Sequence, residues 1–328
     1  MKKFLVFVAI VVVIAVILTS CTSIKSSLND LLVSWGFISD DETPLSYEIL
    51  TPDYVQPSTV KDLIKKGTSN ILLVGIDDTG ILYDTICIAN IDKKDKVVKL
   101  IMIPRDTYIP YNDTYVQIMT EKKLISKGAY KINMSNYIGK KADYLKGNFG
   151  YPSMDFMHDV LFELIGVNID DYVLLNFNGF KQMVDAVDGV DVTVDTDIRD
   201  FTGQLIIPSG LQHLDGEKAL FYARTRYLYD ENGSKIPTTG DSYRKLNQLS
   251  MMKEMTKQIF KIGSVSRIPE IIQTVNENVK YSFTPAEVTS YGVLGLEISS
   301  DKYTVETHMI TGESADPLND QASYVIIK

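Results

Sequence analysis

The segment TICIANIDKKDKVVKLIMIPRD, residues 85–106, carries the reading on which the fold turns. Two apolar runs, TICIANID and VVKLIMIP, flank the charged tetrad KKDK, which suits a hairpin-type turn. Neither run alternates strictly between apolar and polar residues. That pattern predicts strands buried on both faces, and hence a sheet covered by helices. Pro104 has no amide donor and ends the ladder. Arg105 and Asp106 then leave the strand at its carboxyl end, where open α/β sheets bind ligands. A solvated ion pair on a surface turn is the plain alternative.

Working outward, NILLVGID at 70–77 reads as a further short strand closing on Gly and Asp. Downstream, SMDFMHDVLFELIGV places Met154, Met157, Leu161, Leu164 and Ile165 on one helical face, with Gly166 as its stop. DYVLLNFNGF reads as a strand, FKQMVDAV as a short helix and GVDVTV as a strand. A helix opens near Asp215 in DGEKALFYARTR and gives way to an extended exit. DSYRKLNQLSMMKEMTKQIFKI forms a long helix, with Leu246, Leu249, Met252, Met255 and Ile259 facing inward. Two more helices, in RIPEIIQTVNENV and TPAEVTSYGVLGLEI, precede a closing strand in KYTVETHMI. Strands alternating with helices predict an α/β fold with helices on both faces of the sheet.

The chain has 328 residues, 45% of them apolar, which is enough for a sizeable core. Its net charge of −9 argues against the extended basic face that non-specific nucleic-acid binding needs. Two cysteines, Cys21 and Cys87, provide neither a disulfide framework nor a Cys-based zinc site. Cys87 lies in an apolar run and reads as a small core residue.

Residues 1–23 set the expected compartment. Lys2 and Lys3 precede the uncharged apolar run Phe4–Leu18, the pattern of an export signal whose positive end stays in the cytoplasm. LTSC at 18–21 resembles a lipobox, so Cys21 is a candidate lipidation site; an uncleaved signal anchor is the other reading. Both predict a membrane-tethered protein facing outward. Residues 24–67, with Pro44, Pro52 and Pro57, read as an extracytoplasmic linker with a short helix at 58–66, capped by Ser58. The remaining domain, 68–328, holds the charged clusters.

Four such clusters stand at element ends. GIDDTGILYDT offers Asp77, Asp78 and Asp84 across a tight loop, where carboxylates can share a hard cation such as Mg²⁺ or can serve turn chemistry. The second cluster is Arg105 with Asp106. In YARTRY, Arg224 and Arg226 lie two apart, which in an extended segment puts both guanidinium groups on one side. Paired arginines match phosphate oxygens bidentately, though a solvated pair is the alternative. In GDSYRKLNQ, Asp241 is placed to cap the long helix, with Arg244 in its first turn and Gln248 one turn on. A cation there opposes the helix dipole, so Arg244 points to a bound anion.

These stretches, with KINMSNYIG at 131–139 and GLQHLDGEKALFYARTR at 210–226, resemble the LytR-CpsA-Psr family of bacterial cell-envelope proteins over roughly residues 68–285. The resemblance implies a central mixed sheet between helices, a three-layer α-β-α arrangement with an apolar lipid tunnel. It implies an Mg²⁺-assisted phosphotransferase that moves a glycan with its phosphate from a polyprenyl-pyrophosphate carrier to a peptidoglycan hydroxyl, releasing polyprenyl phosphate. By the same resemblance, Asp77 and Asp84 hold the metal, while Arg105, Arg224, Arg226 and Arg244 clamp the pyrophosphate. Asp241 and Gln248 support the arginines, and Asp106, Lys131 and Asn133 fall within family motifs. The general base is a carboxylate among Asp84, Asp106 and Asp241. This sequence departs from the family in having Leu82 and Tyr83 where many members carry an arginine before the "DT" aspartate, and in the long segment YLYDENGSKIPTTG after Arg226.

Met154, Met157, Phe162, Met183, Met251, Met252 and Met255 supply flexible apolar side chains for a prenyl tail, with ordinary core packing as the alternative. Two rival functions use the same features: a polyprenyl-pyrophosphate hydrolase, and a non-catalytic lipid-binding envelope regulator of the kind labelled a transcriptional attenuator.

Overall fold

The computed structural model describes residues 53–55, 63–77, 79–147, 149–236, 240–260, 278–283 and 303–327. The expected leader, most of the linker with 58–62 of its expected helix, and the bulk of the two helices expected between 267 and 298 lie outside them. In chain order the strands are β1 (Asp53–Val55), β2 (Ser69–Ile76), β3 (Tyr83–Asp92), β4 (Val97–Met102), β5 (Asp171–Leu175), β6 (Val190–Val194), β7 (Ile198–Arg199), β8 (Leu205–Ile207), β9 (Gly210–Leu214), β10 (Val279–Tyr281), β11 (Thr304–Ile310), β12 (Glu313–Ala315) and β13 (Tyr324–Ile326). The helices are α1 (Asp113–Glu121), α2 (Ser135–Ala142), α3 (Pro152–Ile165), α4 (Phe177–Ala186), α5 (Gly216–Arg224) and α6 (Asp241–Phe260).

Seven strands form one mixed sheet in the order β1-β11-β4-β3-β2-β5-β10. The hairpin read from KKDK is present: β3 and β4 pair antiparallel with Asp92 opposite Val97. β2 runs antiparallel to β3 and parallel to β5. Alternate residues of these strands, Leu72, Val74, Ile86, Ile88, Ile101 and Leu174, join one apolar cluster with residues of α1, α2 and α3. The intervening residues Ile71, Cys87, Ala89, Leu100, Met102 and Val173 are also buried. The sheet is thus covered on both faces, and its unbroken apolar runs follow from that. Burial pushes the Cys87 thiol up to about 12, as expected of an inert core residue.

The chain divides into two compact units. One contains Pro52–Phe177, Lys280–Ser282 and Glu306–Lys328; the other includes Asn178–Val279 and Phe283–Val305. In the first, α2 and α3 meet closely at Gly139, where an added Cβ would lie 2.6 Å from the Pro152 carbonyl oxygen. Phe156 of α3 sits among Tyr111, Tyr115 and Tyr144, at ring-centroid distances of 5.9, 5.4 and 5.3 Å. Gly166 ends α3 in the left-handed conformation, as its sequence position requires. Met154 and Met157 are core residues of this unit, whereas Phe162 is 54% exposed.

Several elements depart from expectation. Within the segment read as linker, Asp53–Val55 pairs in parallel with β11 at the sheet edge. The strand expected through Phe180 stops at Leu175, and α4 starts at Phe177, because Asn176 to Phe180 mix polar and apolar residues in a way that imitates strand alternation. GVDVTV is a strand, but it pairs with β9 in a separate two-stranded sheet. The short helices α1 and α2 and the closing β12–β13 hairpin are additional to the elements read from sequence.

Candidate active site

Pro104 and its neighbours fix the first cluster by backbone geometry. Ile103 donates the last ladder bond to Ile86, and Pro104 ends the pairing. The Pro104 carbonyl then accepts from both the amide and the hydroxyl of Thr107, at 3.0 and 2.6 Å, which closes a tight turn with Arg105 and Asp106 at its tip. Both flanks of this turn are pinned. On one side, Asn133 donates to the Arg105 carbonyl at 3.1 Å and Ile132 to Thr107 at 2.8 Å. On the other, Val325 donates to the Asp106 carbonyl at 2.8 Å, and Tyr108 donates to Val325 at 2.9 Å.

The side chains form a row of alternating charge. Arg105 Nη1 donates to Asp84 Oδ1, and Arg105 Nε lies 3.8 Å from Asp106 Oδ2. Lys131 Nζ donates to Asp106 Oδ1 at 3.0 Å and stands 5.7 Å from the Tyr324 ring centroid. Arg105 Nε is buried without a hydrogen-bond acceptor, as is Asn133 Oδ1 without a donor. Arg105 also lines an open pocket, and a guanidinium at a pocket wall suits an incoming oxyanion. The pair of charges in PRD is therefore a held assembly, not a solvated turn.

Asp77 behaves differently. Its Oδ1 accepts from the amides of Ile81 and Leu82 at 3.0 and 3.2 Å, and both its oxygens accept from the Thr79 hydroxyl at 2.8 Å. Turn chemistry thus accounts for Asp77, and buried Asn136 adds to it by donating to the Gly80 and Ile81 carbonyls at 2.8 Å. Asp78 lies outside the described residues. Among the described residues no group of three or more His, Cys, Asp or Glu side chains could hold a metal by itself. The donor chemistry still suits Mg²⁺, which is commonly bound through one or two carboxylates, waters and substrate phosphate. Asp77 Oδ2 and Asp84 are hard oxygen donors from one loop and the strand that follows it.

The other unit holds the remaining arginines. Asp215 caps α5 by accepting from the Lys218 amide at 2.8 Å, and the helix runs through Arg224 before Thr225 turns extended. This corrects the same-side argument for Arg224 and Arg226, since the first is helical and only the second follows the extended exit. Arg224 is exposed and Arg226 half-buried. Arg244 is 4% exposed in the first turn of α6, with Gln248 buried one turn on. The Arg244 amide donates to the Gly240 carbonyl at 3.4 Å, so Gly240 takes the cap position expected of Asp241. Asn247, absent from the sequence reading, donates from its side chain to the Tyr222 carbonyl at 3.0 Å and ties α6 to the helix that carries Arg224.

The structure therefore joins Asp84, Arg105, Asp106 and Lys131 in one unit, with Asp77 closing the neighbouring loop. Arg224, Arg226, Asp241, Arg244 and Gln248 belong to the other. Sequence reasoning missed Tyr324, Val325 and Asn136, which support the first group from distant points in the chain. Asn136 lay within the quoted KINMSNYIG stretch; nothing local marks the other two.

The model of the LytR_cpsA_psr family matches residues 48–328. Among curated proteins, the chain is 26% identical over 247 residues to the polyisoprenyl-teichoic acid–peptidoglycan teichoic acid transferase TagU of Bacillus cereus, covering 71% of this chain and 70% of that protein. It is 28% identical over 260 residues to TagV of Bacillus subtilis, a transferase of the same name, covering 76% of this chain but only 58% of that protein. The crystal structure of Bacillus subtilis TagV superposes with a TM-score of 0.57 at 26% identity, over 81% of this chain and 92% of the other. TagT bound to LI-WTA superposes at 0.55 with 20% identity, over 80% and 85%, a likeness of fold.

Proposed function

The chain belongs to the LytR-CpsA-Psr family, and from that premise we propose that it is an extracytoplasmic phosphotransferase. It takes an anionic glycan from a polyprenyl-pyrophosphate carrier, transfers it with one phosphate to peptidoglycan, and releases polyprenyl phosphate. The names of its relatives support the reaction class. The observation in this chain that carries the reading is the pinned PRD turn: it holds Arg105 between two carboxylates at the wall of an open pocket.

Phosphoryl transfer asks a protein mainly for positioning and electrostatic stabilisation. Asp84 orients the Arg105 fork, and the turn's backbone bonds hold it there without reorganisation. Arg105, Arg224, Arg226 and Arg244 supply the guanidinium groups that hold the pyrophosphate oxygens, with Asp241 and Gln248 as supporting residues. Mg²⁺, held by Asp77 and Asp84, would neutralise charge developing on the leaving phosphate. A carboxylate among Asp84, Asp106 and Asp241 takes the acceptor proton. The prenyl chain lies in an apolar tunnel, and the amino-terminal segment tethers the enzyme to the outer face of the cytoplasmic membrane.

The test is product analysis with purified protein, a lipid-linked glycan, peptidoglycan and Mg²⁺. A glycan–peptidoglycan phosphodiester with release of polyprenyl phosphate is the expected result. Free glycan phosphate would instead identify a hydrolase, and binding without turnover a lipid-binding module.

A further inference from the structure

The first unit carries a local excess of positive charge next to the loop that Asp77 closes. Residues 121–151 hold seven lysines, no arginine and two carboxylates, Glu121 and Asp143, in a chain whose net charge is −9. A run of lysines alone is solvated surface. Two lysines of this unit are placed otherwise.

Lys140 lies in the last turn of α2, and its Nζ reaches the Gly80 carbonyl oxygen at 3.5 Å, the same oxygen to which Asn136 donates at 2.8 Å. Lys280 comes from β10, and its Nζ stands 5.5 Å from the ring centroid of Tyr151. That ring is itself stacked on Tyr172, with centroids 6.2 Å apart, so the cation rests on a fixed aromatic face. The two ammonium groups feel each other. Desolvation, and then the charge of Lys280, lower the pKa of Lys140, although the residue as a whole is exposed. Among the described residues Lys65, Lys131 and Lys181 are ion-paired with carboxylates, whereas neither Lys140 nor Lys280 is. Like charges brought together by a carbonyl and a ring, with no carboxylate between them, suit an anion from outside the chain.

Their position says which anion. Leu82 lines the pocket that Arg105 enters, while Gly80, two residues earlier, meets Lys140. The loop 79–82 thus has the Arg105 pocket on one side and the lysine pair on the other, within one unit. Residue type points the same way. An arginine fork matches a headgroup of fixed geometry, whereas lysine is a point charge on a flexible stem and follows anionic groups whose spacing varies. The proposed pyrophosphate clamp is all arginine, and the basic stretch 121–151 is all lysine.

We propose that Lys140 and Lys280 form an exosite for the phosphodiester-bearing chain of the donor glycan, beyond the pyrophosphate that Arg105 faces. The inference rests on the phosphotransferase reading and adds how the charge of the transferred polymer is recognised. Adjacency to the loop that bears Asp77 favours a chain attached to the reacting phosphate over an independent surface such as the bilayer or the peptide carboxylates of the wall. Contacts of this kind are made equally before and during transfer, so they lower KM for a charged donor and leave kcat unchanged.

The test is binding of a soluble glycerol phosphate oligomer to the purified full chain in detergent, in wild type and in the double variant Lys140→Gln, Lys280→Gln. Both residues are exposed, and glutamine is a good helix former at position 140, so the substitutions leave the fold intact. Oligomer binding should weaken about fivefold at low ionic strength, and the difference should vanish in about 1 M salt. Transfer from a lipid-linked donor that bears only uncharged sugars should be the same in both proteins. An oligomer that fails to bind wild type, or binds the variant equally well, overturns the proposal. Weaker attachment of the variant to phosphatidylglycerol vesicles, or weaker binding of a muramyl peptide, with oligomer binding unchanged, overturns it too and assigns the lysines to the membrane or the wall. Oligomer binding that responds to the variant in a protein that transfers nothing would sink the phosphotransferase reading and leave the exosite standing.

Discussion

At the scale of single residues, Arg105 is the most exposed to test. Its guanidinium bridges Asp84 and Asp106 at the tip of a turn whose backbone is bonded on both sides. Arg105→Ala should lower glycan transfer by about 10²–10³-fold, the usual cost of losing one preorganised transition-state donor. Arg105→Lys keeps the charge but loses the planar fork, and should recover only part of that loss. Single-turnover transfer from a purified lipid-linked donor measures both; full activity in the lysine variant would show that charge alone suffices. Asp320 offers a pH-dependent test. Hydrogen bonds from the Tyr324 hydroxyl and then the Gly128 amide lower its pKa from 3.8 to about 2. A depressed carboxyl pKa contributes stability that is complete above the unfolded value and is lost as pH falls through the folded one. The amide resonances of Gly128 and Ala322 should therefore hold steady down to about pH 4 and shift together as the pH approaches 2, and Asp320→Asn should abolish that transition.

At the scale of elements, legibility followed burial. β3 and β4 could be read with their turn because both of their faces are covered, leaving an apolar run bounded by charges. α3 could be read because its buried face repeats at helical spacing and a glycine ends it. α1 and α2 could not, since each is about two turns long and takes its stability from packing, not from a long periodic signal. The candidate site divides along the same line. Residues at strand and helix ends announced themselves, Arg105 as a charge closing an apolar run and Arg244 as a cation set against the dipole at a helix start. The groups that hold the PRD turn, Val325 and the Ile132–Asn133 backbone, act through amides that carry no sequence signature. Packing of α2 on α3 gives a prediction at this scale. A Cβ at Gly139 would stand 2.6 Å from the Pro152 oxygen and 2.8 Å from Ser153 Cα, both backbone atoms that cannot rotate away. Gly139→Ala should destabilise the unit by about 1–3 kcal/mol, seen as a lower Tm by scanning calorimetry, while a substitution at Gly150, where nothing lies within 4 Å, meets no clash and strains only the backbone, with φ at +62°.

At the scale of the whole molecule, the acidic balance and the leader constrain function together. A net charge of −9 leaves the cationic groups as local features, so recognition of the proposed anionic substrate would fall to a few placed arginines and lysines and not to a general field. On the proposed reaction, lipid-linked donor and wall acceptor meet only outside the cytoplasmic membrane, so the catalytic domain would have to be exported and kept near the bilayer. Among the described residues no helix is long and apolar enough to cross a membrane. The tether proposed above is the run Phe4–Leu18, preceded by Lys2 and Lys3. The full chain should sediment with membranes and resist extraction by high salt, which removes electrostatically bound proteins but leaves an apolar anchor in place. A chain lacking residues 1–23 should be recovered in the soluble fraction and still transfer glycan to peptidoglycan when the donor is presented in detergent. Intact mass of the membrane form then separates the two tethers: retention of Met1 excludes lipoprotein processing, and a mass beginning at a lipidated Cys21 establishes it. Recovery of the full chain in the soluble fraction would remove the tether, and with it the argument that places this chemistry at the membrane surface.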